Sequence, residues 1–378
     1  MHEIQKEQQQ WDRAILVGVG YGNDTPQVLA EHIEELALLA DTARAIVAGT
    51  VTQMRQSPDS AHYVGKGKAE EIKLLVQELK IDVVIFDSDL SPRQLRNLEK
   101  ICETKVIDRS MLILDIFAQH ARTHEAKVQV GLAQLAYLSP RLSHMWSHLG
   151  QQAGGHGTRR GPGEKQIEID RRLIKTRMAE LRKELKDIEQ QRSQQKQNRG
   201  AIFKACIVGY TNVGKSTILN AASKASVLVQ NKLFATLDAT TRRVYIQDHG
   251  EILLSDTVGF IRKLPHHLVA SFRSTLEVIT DADLIVIVID ASSPCYQDHS
   301  TVVNTVLNEL KTTHIPRLLV FNKIDLVQEP KFLERLQNEF PNACFTAASK
   351  KEGIDGFKAA LGMFARAWKG ERTGEPHE

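Results

Sequence analysis

The sequence predicts an α/β protein in three parts: an N-terminal α/β domain with a parallel sheet, a basic helical (coiled-coil) hairpin, and a second β/α domain on the C-terminal side. Three observations carry that expectation. Short apolar runs alternate with helical patterns over residues 14–107 and again from residue 201, and such alternation places parallel strands beneath helices. Between the two stretches, Ile167, Ile174, Leu181 and Ile188 recur every seven residues, with Met178 and Leu185 in the complementary positions. That is the seam of a coiled coil. The expected boundaries are 1–120 for the first domain, 121–199 for the hairpin, 200–371 for the second domain and 372–378 for a disordered tail.

In the first domain, Ala14–Val19, Ile46–Val51, Asp82–Phe86 and Lys105–Ile107 read as strands. Helices are expected over Gln27–Ala40, Ala69–Lys80 and Ser91–Glu103, the last capped by Ser91 with Pro92 at its first position. The hairpin begins with an apolar stripe at Val128, Leu132 and Leu135. It turns through Gly150–Gly163, GQQAGGHGTRRGPG, and returns along the heptads. From Ala201 the strands expected are Phe203–Val208, Glu251–Ser255, Leu284–Asp290 and Arg317–Phe321.

Composition narrows the class. Of the 378 residues 25% are charged and 42% hydrophobic, as in soluble globular chains. No apolar run approaches the length of a bilayer span, and the polar start MHEIQKEQQQ has no signal-peptide pattern. Cys102, Cys206, Cys295 and Cys344 are scattered, which points to reduced thiols in a cytoplasmic protein. A monomer is expected. The net charge of +3 does not by itself call for nucleic acid.

The chemistry concentrates in Gly209–Ser216, GYTNVGKS, which follows an apolar strand and opens a helical pattern. Strand, glycine loop and helix N-terminus wrap phosphates with backbone N–H groups, so this is a phosphate-binding (P-loop) segment. Gly209 and Gly214 allow the turn. Lys215 would reach the β- and γ-phosphates, and Ser216 would ligate Mg²⁺. Asp256–Gly259 (DTVG) follows the strand EILL, where Asp256 can hold the magnesium shell and Gly259 can offer its N–H to the γ-phosphate. Asn322–Asp325 (NKID) follows RLLVF. Guanine presents N1–H and N2–H₂ as adjacent donors that one carboxylate, Asp325, can accept, whereas adenine would leave it unpaired. Lys323 can lie along the base and Asn322 can brace the loop. The nucleotide is therefore GTP, and the second domain is a P-loop GTPase domain.

These three segments resemble the G1, G3 and G4 motifs of translation-factor-related GTPases. The resemblance implies a switch threonine and a further base-side loop. Within Leu233–Arg243, LFATLDATTRR, the candidates are Thr236, Thr240 and Thr241, with Thr236 preferred. Ala347–Ala348–Ser349 is the best match to the base-side loop. The nucleotide set is thus Gly209, Tyr210, Thr211, Asn212, Val213, Gly214, Lys215, Ser216 and Thr217; Phe234, Ala235, Thr236, Leu237 and Asp238; Asp256, Thr257, Val258 and Gly259; Asn322, Lys323 and Asp325; and Ala347, Ala348 and Ser349. Catalysis is assigned to Lys215, Thr236 and Gly259, and magnesium to Ser216, Thr236 and Asp256. Phe260 stands where many GTPases use glutamine to orient water, so slow intrinsic hydrolysis is expected. GTPases with GxxNxGKS can hold K⁺ through the asparagine, which makes Asn212 a candidate K⁺ ligand.

Further segments are similar to the HflX family of bacterial GTPases: YVGKGK (63–68), DLSPRQLRNLE (89–99), DRSMLILDIFA (108–118), THEAKVQVGLAQL (123–135), GTRRGPGEKQIEIDRRL (157–173), KLFATLDATTRR and DTVGFIRKLPHHLV. The resemblance implies binding to the large (50S) ribosomal subunit and dissociation of stalled or idle ribosomes under stress. Some members carry a further C-terminal domain, which this sequence is expected to lack. Charge distribution agrees with an RNA partner: residues 150–199 hold thirteen Lys or Arg against seven Asp or Glu. The glycine-rich tip Gly154–Gly163, with Arg159 and Arg160, is the expected rRNA contact. Two alternatives stay open: a ribosome-assembly or RNA-modification GTPase, and a ribosome-silencing binder that uses GTP only as a switch.

Overall fold

The computed structural model describes residues 12–22, 24–141, 162–197, 202–223, 233–234, 240–247, 249–263 and 273–373. They form two compact units, one within Met1–Gln119 and Gly131–Arg182, the other within His120–Val130 and Lys183–Glu378. The fold is α/β, with a four-stranded parallel sheet in the first unit and a six-stranded mixed sheet in the second.

The first unit is built from β1 (Arg13–Gly20), α1 (Pro26–Thr42), β2 (Ile46–Met54), α2 (Lys66–Leu79), β3 (Val83–Phe86), α3 (Pro92–Cys102), β4 (Lys105–Asp108) and α4 (Arg109–His120). The sheet order is β2-β1-β3-β4, parallel throughout. Every residue of β3 is buried, the continuous apolar run of a strand covered on both faces. Local chemistry sets the helix starts. Thr25 caps α1 and accepts from Val28 N, with Pro26 following. Ser91 and Gln94 form a reciprocal capping box on α3. Lys80 and Glu103 end α2 and α3 in the left-handed conformation.

Two long helices follow, α5 (His124–Leu138) and α6 (Pro162–Gln197), and the division between units falls inside both. Along α6 the less exposed positions include Ile174, Met178, Leu181, Leu185 and Ile188, all of the expected seam but Ile167, whose side chain lies outside the described residues. Leu181 is buried and lies against Gly131. Ile169 and Leu173 fall outside the seam and are exposed. Among the described residues, no helix is long and apolar enough to cross a membrane.

The second unit continues with β5 (Lys204–Gly209), α7 (Lys215–Ser223), β6 (Thr240–Ile246), β7 (Gly250–Asp256), α8 (Arg273–Thr280), β8 (Leu284–Asp290), α9 (Tyr296–Glu309) and β9 (Arg317–Asn322). A 3₁₀ turn (Ile324–Leu326), α10 (Pro330–Glu339), β10 (Cys344–Phe345) and α11 (Ile354–Thr373) complete it. The sheet order is β10-β9-β8-β5-β7-β6, with β6 alone antiparallel. Two strands went unforeseen. β6 is an edge strand whose TTRRVYI buries only Val244 and Ile246, too little apolar pattern to stand out. β10 is two residues long.

Candidate nucleotide site

β5 brings Gly209 to the C-terminal edge of the sheet, beside β8. A Cβ at Gly209 would fall 2.4 Å from the Val288 carbonyl oxygen, so only glycine lets the chain leave the sheet here. Gly214 has φ +93°, and a Cβ would fall 2.3 Å from Asn322 Nδ2. Asn212 takes φ +59°, a conformation asparagine tolerates.

Lys215, the first residue of α7, is 7% exposed. Its Nζ donates to Tyr210 O at 2.7 Å and to Gly209 O at 3.3 Å. Burial draws its pKa down to about 8, while nearby Asp256 opposes the shift. A desolvated ammonium at a helix N-terminus has much to gain from an anion. Ser216 Oγ donates to Asp256 Oδ2 at 2.5 Å. A hydroxyl and a carboxylate brought that close are hard oxygen donors of the kind Mg²⁺ takes, so these two residues could hold it together.

Asp256 ends β7, opposite Ile207 of β5, and Thr257 Oγ1 donates to Ile207 O at 2.8 Å. Beyond it the chain is stitched to the phosphate loop. Phe260 N donates to Gly209 O at 3.0 Å, Thr211 N donates to Phe260 O at 2.8 Å, and Arg262 N donates to Tyr210 Oη at 2.9 Å. The Tyr210 ring stacks on His299, with centroids 3.9 Å apart. Val258 is buried, and Gly259 lies against Thr211 and the Lys215 ammonium. The Phe260 side chain is 2% exposed and packs among Cys206, Val208, Ile279 and Ile285. It is a core residue.

At the other end of the site, Asn322 is 2% exposed. Its Nδ2 donates to Val213 O at 2.8 Å, and its Oδ1 accepts from Thr346 Oγ1 at 3.0 Å and Ala348 N at 3.1 Å. Lys323 has φ +63° and sets its Nζ 2.7 Å from Asp290 Oδ2. Asp325, in the 3₁₀ turn, has Oδ2 3.2 Å from Lys350 Nζ. Ala347 and Ala348 are buried and Ser349 is exposed. The phosphate loop, NKID and the 346–350 loop thus come together around Asn322.

Sequence reasoning missed Asp290, Thr346 and Lys350. Asp290 carried a signal, being the polar end of the run LIVIVID, in register with Asn322. Of the switch candidates, Thr240 and Thr241 fall in β6, Thr240 opposite Asp256 and Thr241 Oγ1 2.8 Å from Ser255 Oγ. Phe234 is buried with φ +55°, and Thr217 is half-buried on α7. Ala235, Thr236, Leu237 and Asp238 lie outside the described residues, as do Arg159 and Arg160 and the end of the tail.

Comparison with known proteins extends the picture to most of the chain. Three family profiles match consecutively: "GTP-binding GTPase N-terminal" over residues 30–118, "GTP-binding GTPase Middle Region" over 120–199 and "50S ribosome-binding GTPase" over 204–323. The chain is similar to GTPase HflX of Escherichia coli (strain K12), 45% identical over 354 residues, covering 93% of this chain and 82% of that one. It is 43% identical over 376 residues to GTPase HflX of Flavobacterium psychrophilum, covering 94% and 91% of the two chains. Among solved structures, the crystal structure of SsGBP with GDP superposes with a TM-score of 0.53 at 24% identity, covering 94% of this chain and 99% of that chain. At that identity the likeness is one of fold.

Proposed function

Because this chain belongs to the HflX family of GTPases, we propose that its GTP-bound form docks on the large ribosomal subunit and dissociates stalled or idle ribosomes under stress. The chain is a P-loop enzyme that hydrolyses GTP. The observation that supports the ribosomal reading is likeness over almost the entire chain, N-terminal and middle regions included, to proteins of one family.

In this reading Lys215 and the loop amides hold the β- and γ-phosphates, and Gly259 N–H meets the γ-phosphate. Ser216 and Asp256, with Thr236, would hold Mg²⁺, which would offset the negative charge of the phosphates. Asp325 accepts the guanine N–H groups. With the Phe260 side chain in the core, no side chain at that position orients water, so turnover alone is slow and the ribosome completes the site. Asn212 would be the residue that holds a K⁺ ion. Arg159 and Arg160 of the tip meet rRNA, while Arg171, Arg172, Lys175, Arg182, Lys183 and Lys186 present an exposed basic face on α6.

Sucrose gradients of purified intact ribosomes test the proposal. Free subunits should accumulate with GTP and with a non-hydrolysable analogue, and not with GDP. Intact ribosomes under every condition would overturn the splitting activity and favour the silencing or assembly readings. GTPase rates unmoved by added large subunits would remove the ribosome as the activating partner. Equal rates in KCl and NaCl would remove the K⁺ role of Asn212.

A further inference from the structure

The ion pair between Lys350 and Asp325 joins two residues that stand on separately fixed supports. Asp325 sits in the 3₁₀ turn that follows β9, with its side chain 10% exposed. Lys350 comes from the loop after β10, and its side chain is 56% exposed. That loop is tied down by Thr346 N to Phe321 O at 2.8 Å, Ala348 N to Asn322 Oδ1 at 3.1 Å, and Lys350 N to Ala347 O at 2.9 Å. Ala347 and Glu352 exchange backbone hydrogen bonds that close the loop. A lysine on such a mount reaches the Asp325 carboxylate from a fixed base.

A lone aspartate in a short turn can rotate about χ2 and offer its two oxygens in many orientations. A guanine edge needs them in one. An ammonium 3.2 Å from Oδ2 occupies one of the roughly four lone-pair sites of the carboxylate and leaves the others to accept. We infer that Lys350 is a positioning residue for guanine selectivity, holding Asp325 so that both carboxylate oxygens serve the base. The inference rests on the reading of Asp325 as the guanine acceptor. The other charged member of the tetrapeptide, Lys323, is likewise paired, with Asp290 at 2.7 Å.

The test compares GDP with inosine diphosphate, which lacks the 2-amino group, by equilibrium titration of the full chain. The quantity read is the ratio of the two dissociation constants. Lys350→Met should lower the preference for GDP by about three- to tenfold, because a carboxylate free to turn loses most where two donors must be met at once. Lys350→Arg, which keeps the charge, should restore most of it. Equal weakening of both nucleotides in Lys350→Met, with the ratio unchanged, would show a merely structural loop residue and overturn the inference. Asp325→Asn provides the separate control and should shift preference from GDP to xanthosine diphosphate. If it leaves GDP preferred as in the parent chain, the reading of Asp325 fails and the role of Lys350 fails with it.

Discussion

The Asn322 side chain donates to the Val213 carbonyl at 2.8 Å, so the end of β9 holds the phosphate loop directly. Its oxygen accepts from Thr346 and Ala348, and one buried amide thereby serves three loops.

Asn322→Ala should therefore act on stability and binding together. It strands the Val213 carbonyl, the Thr346 hydroxyl and the Ala348 amide, at a cost of about 2–4 kcal/mol. Denaturant titration without nucleotide should show that loss, and GDP affinity should fall at least tenfold. Thr346→Val removes a single bond and should cost about 1 kcal/mol. Similar small losses for both would refute the central role of Asn322.

Phe260→Gln should not produce a faster enzyme, although glutamine is what many GTPases place there. The side chain is buried among Cys206, Val208 and Ile279, and an amide there would lack partners. Thermal and denaturant unfolding should show a loss of about 3 kcal/mol, with single-turnover hydrolysis unchanged or slower. Faster hydrolysis would mean that residue 260 faces the phosphates.

The Lys215 ammonium gives a pH dependence with opposite signs for the free and bound protein. Its folded pKa of about 8 lies below the ordinary lysine value of about 10.4. Between those values the unfolded chain carries the proton more often, so stability of the nucleotide-free protein rises with pH across that window. Binding runs the other way, because the phosphates select the ammonium. GDP affinity should fall by up to about tenfold per pH unit above pH 8. Calorimetry in buffers of different ionisation enthalpy should detect proton uptake on binding near pH 8–9, and its absence would place the lysine pKa elsewhere.

In the first unit, Arg109 is 2% exposed and joins two carboxylates, donating to Asp87 Oδ1 at 2.7 Å and to Glu35. Arg109→Met would leave both acids without that cation, at a cost of about 3–5 kcal/mol at pH 7. Ser91→Ala, which removes only the cap of α3, should cost about 1 kcal/mol. Urea unfolding of the full chain, followed by a probe in this unit, should separate the two.

Much of this architecture was legible because its periodicities are strong. The runs ILVGV and LIVIVI have the length and apolar continuity of buried parallel strands, and the α6 seam appears at the heptad positions that carry it. The phosphate loop could be read because glycine and lysine have few other reasons to stand in that order between strand and helix. What escaped was set by contacts distant in sequence. Val244 and Ile246 reveal β6 only once β7 lies beside it. Asp290 and Lys350 find their ion-pair partners 33 and 25 positions away. Phe260 was read by its chemistry, and its place in the core depends on backbone pairing that no local pattern records.

That pairing, Phe260 to Gly209 on one side and Thr211 to Phe260 on the other, extends the sheet by one rung past its last regular strand. The rung makes the nucleotide loop and the segment after DTVG a single mechanical piece. If a phosphate displaces Gly259, that pairing should pass the movement to the Phe260 ring, among the aliphatic side chains beneath. Methyl signals from Ile279 and Ile285 should report the nucleotide state without touching the nucleotide, and substitutions at residues 211 and 260 should couple strongly in a double-mutant cycle.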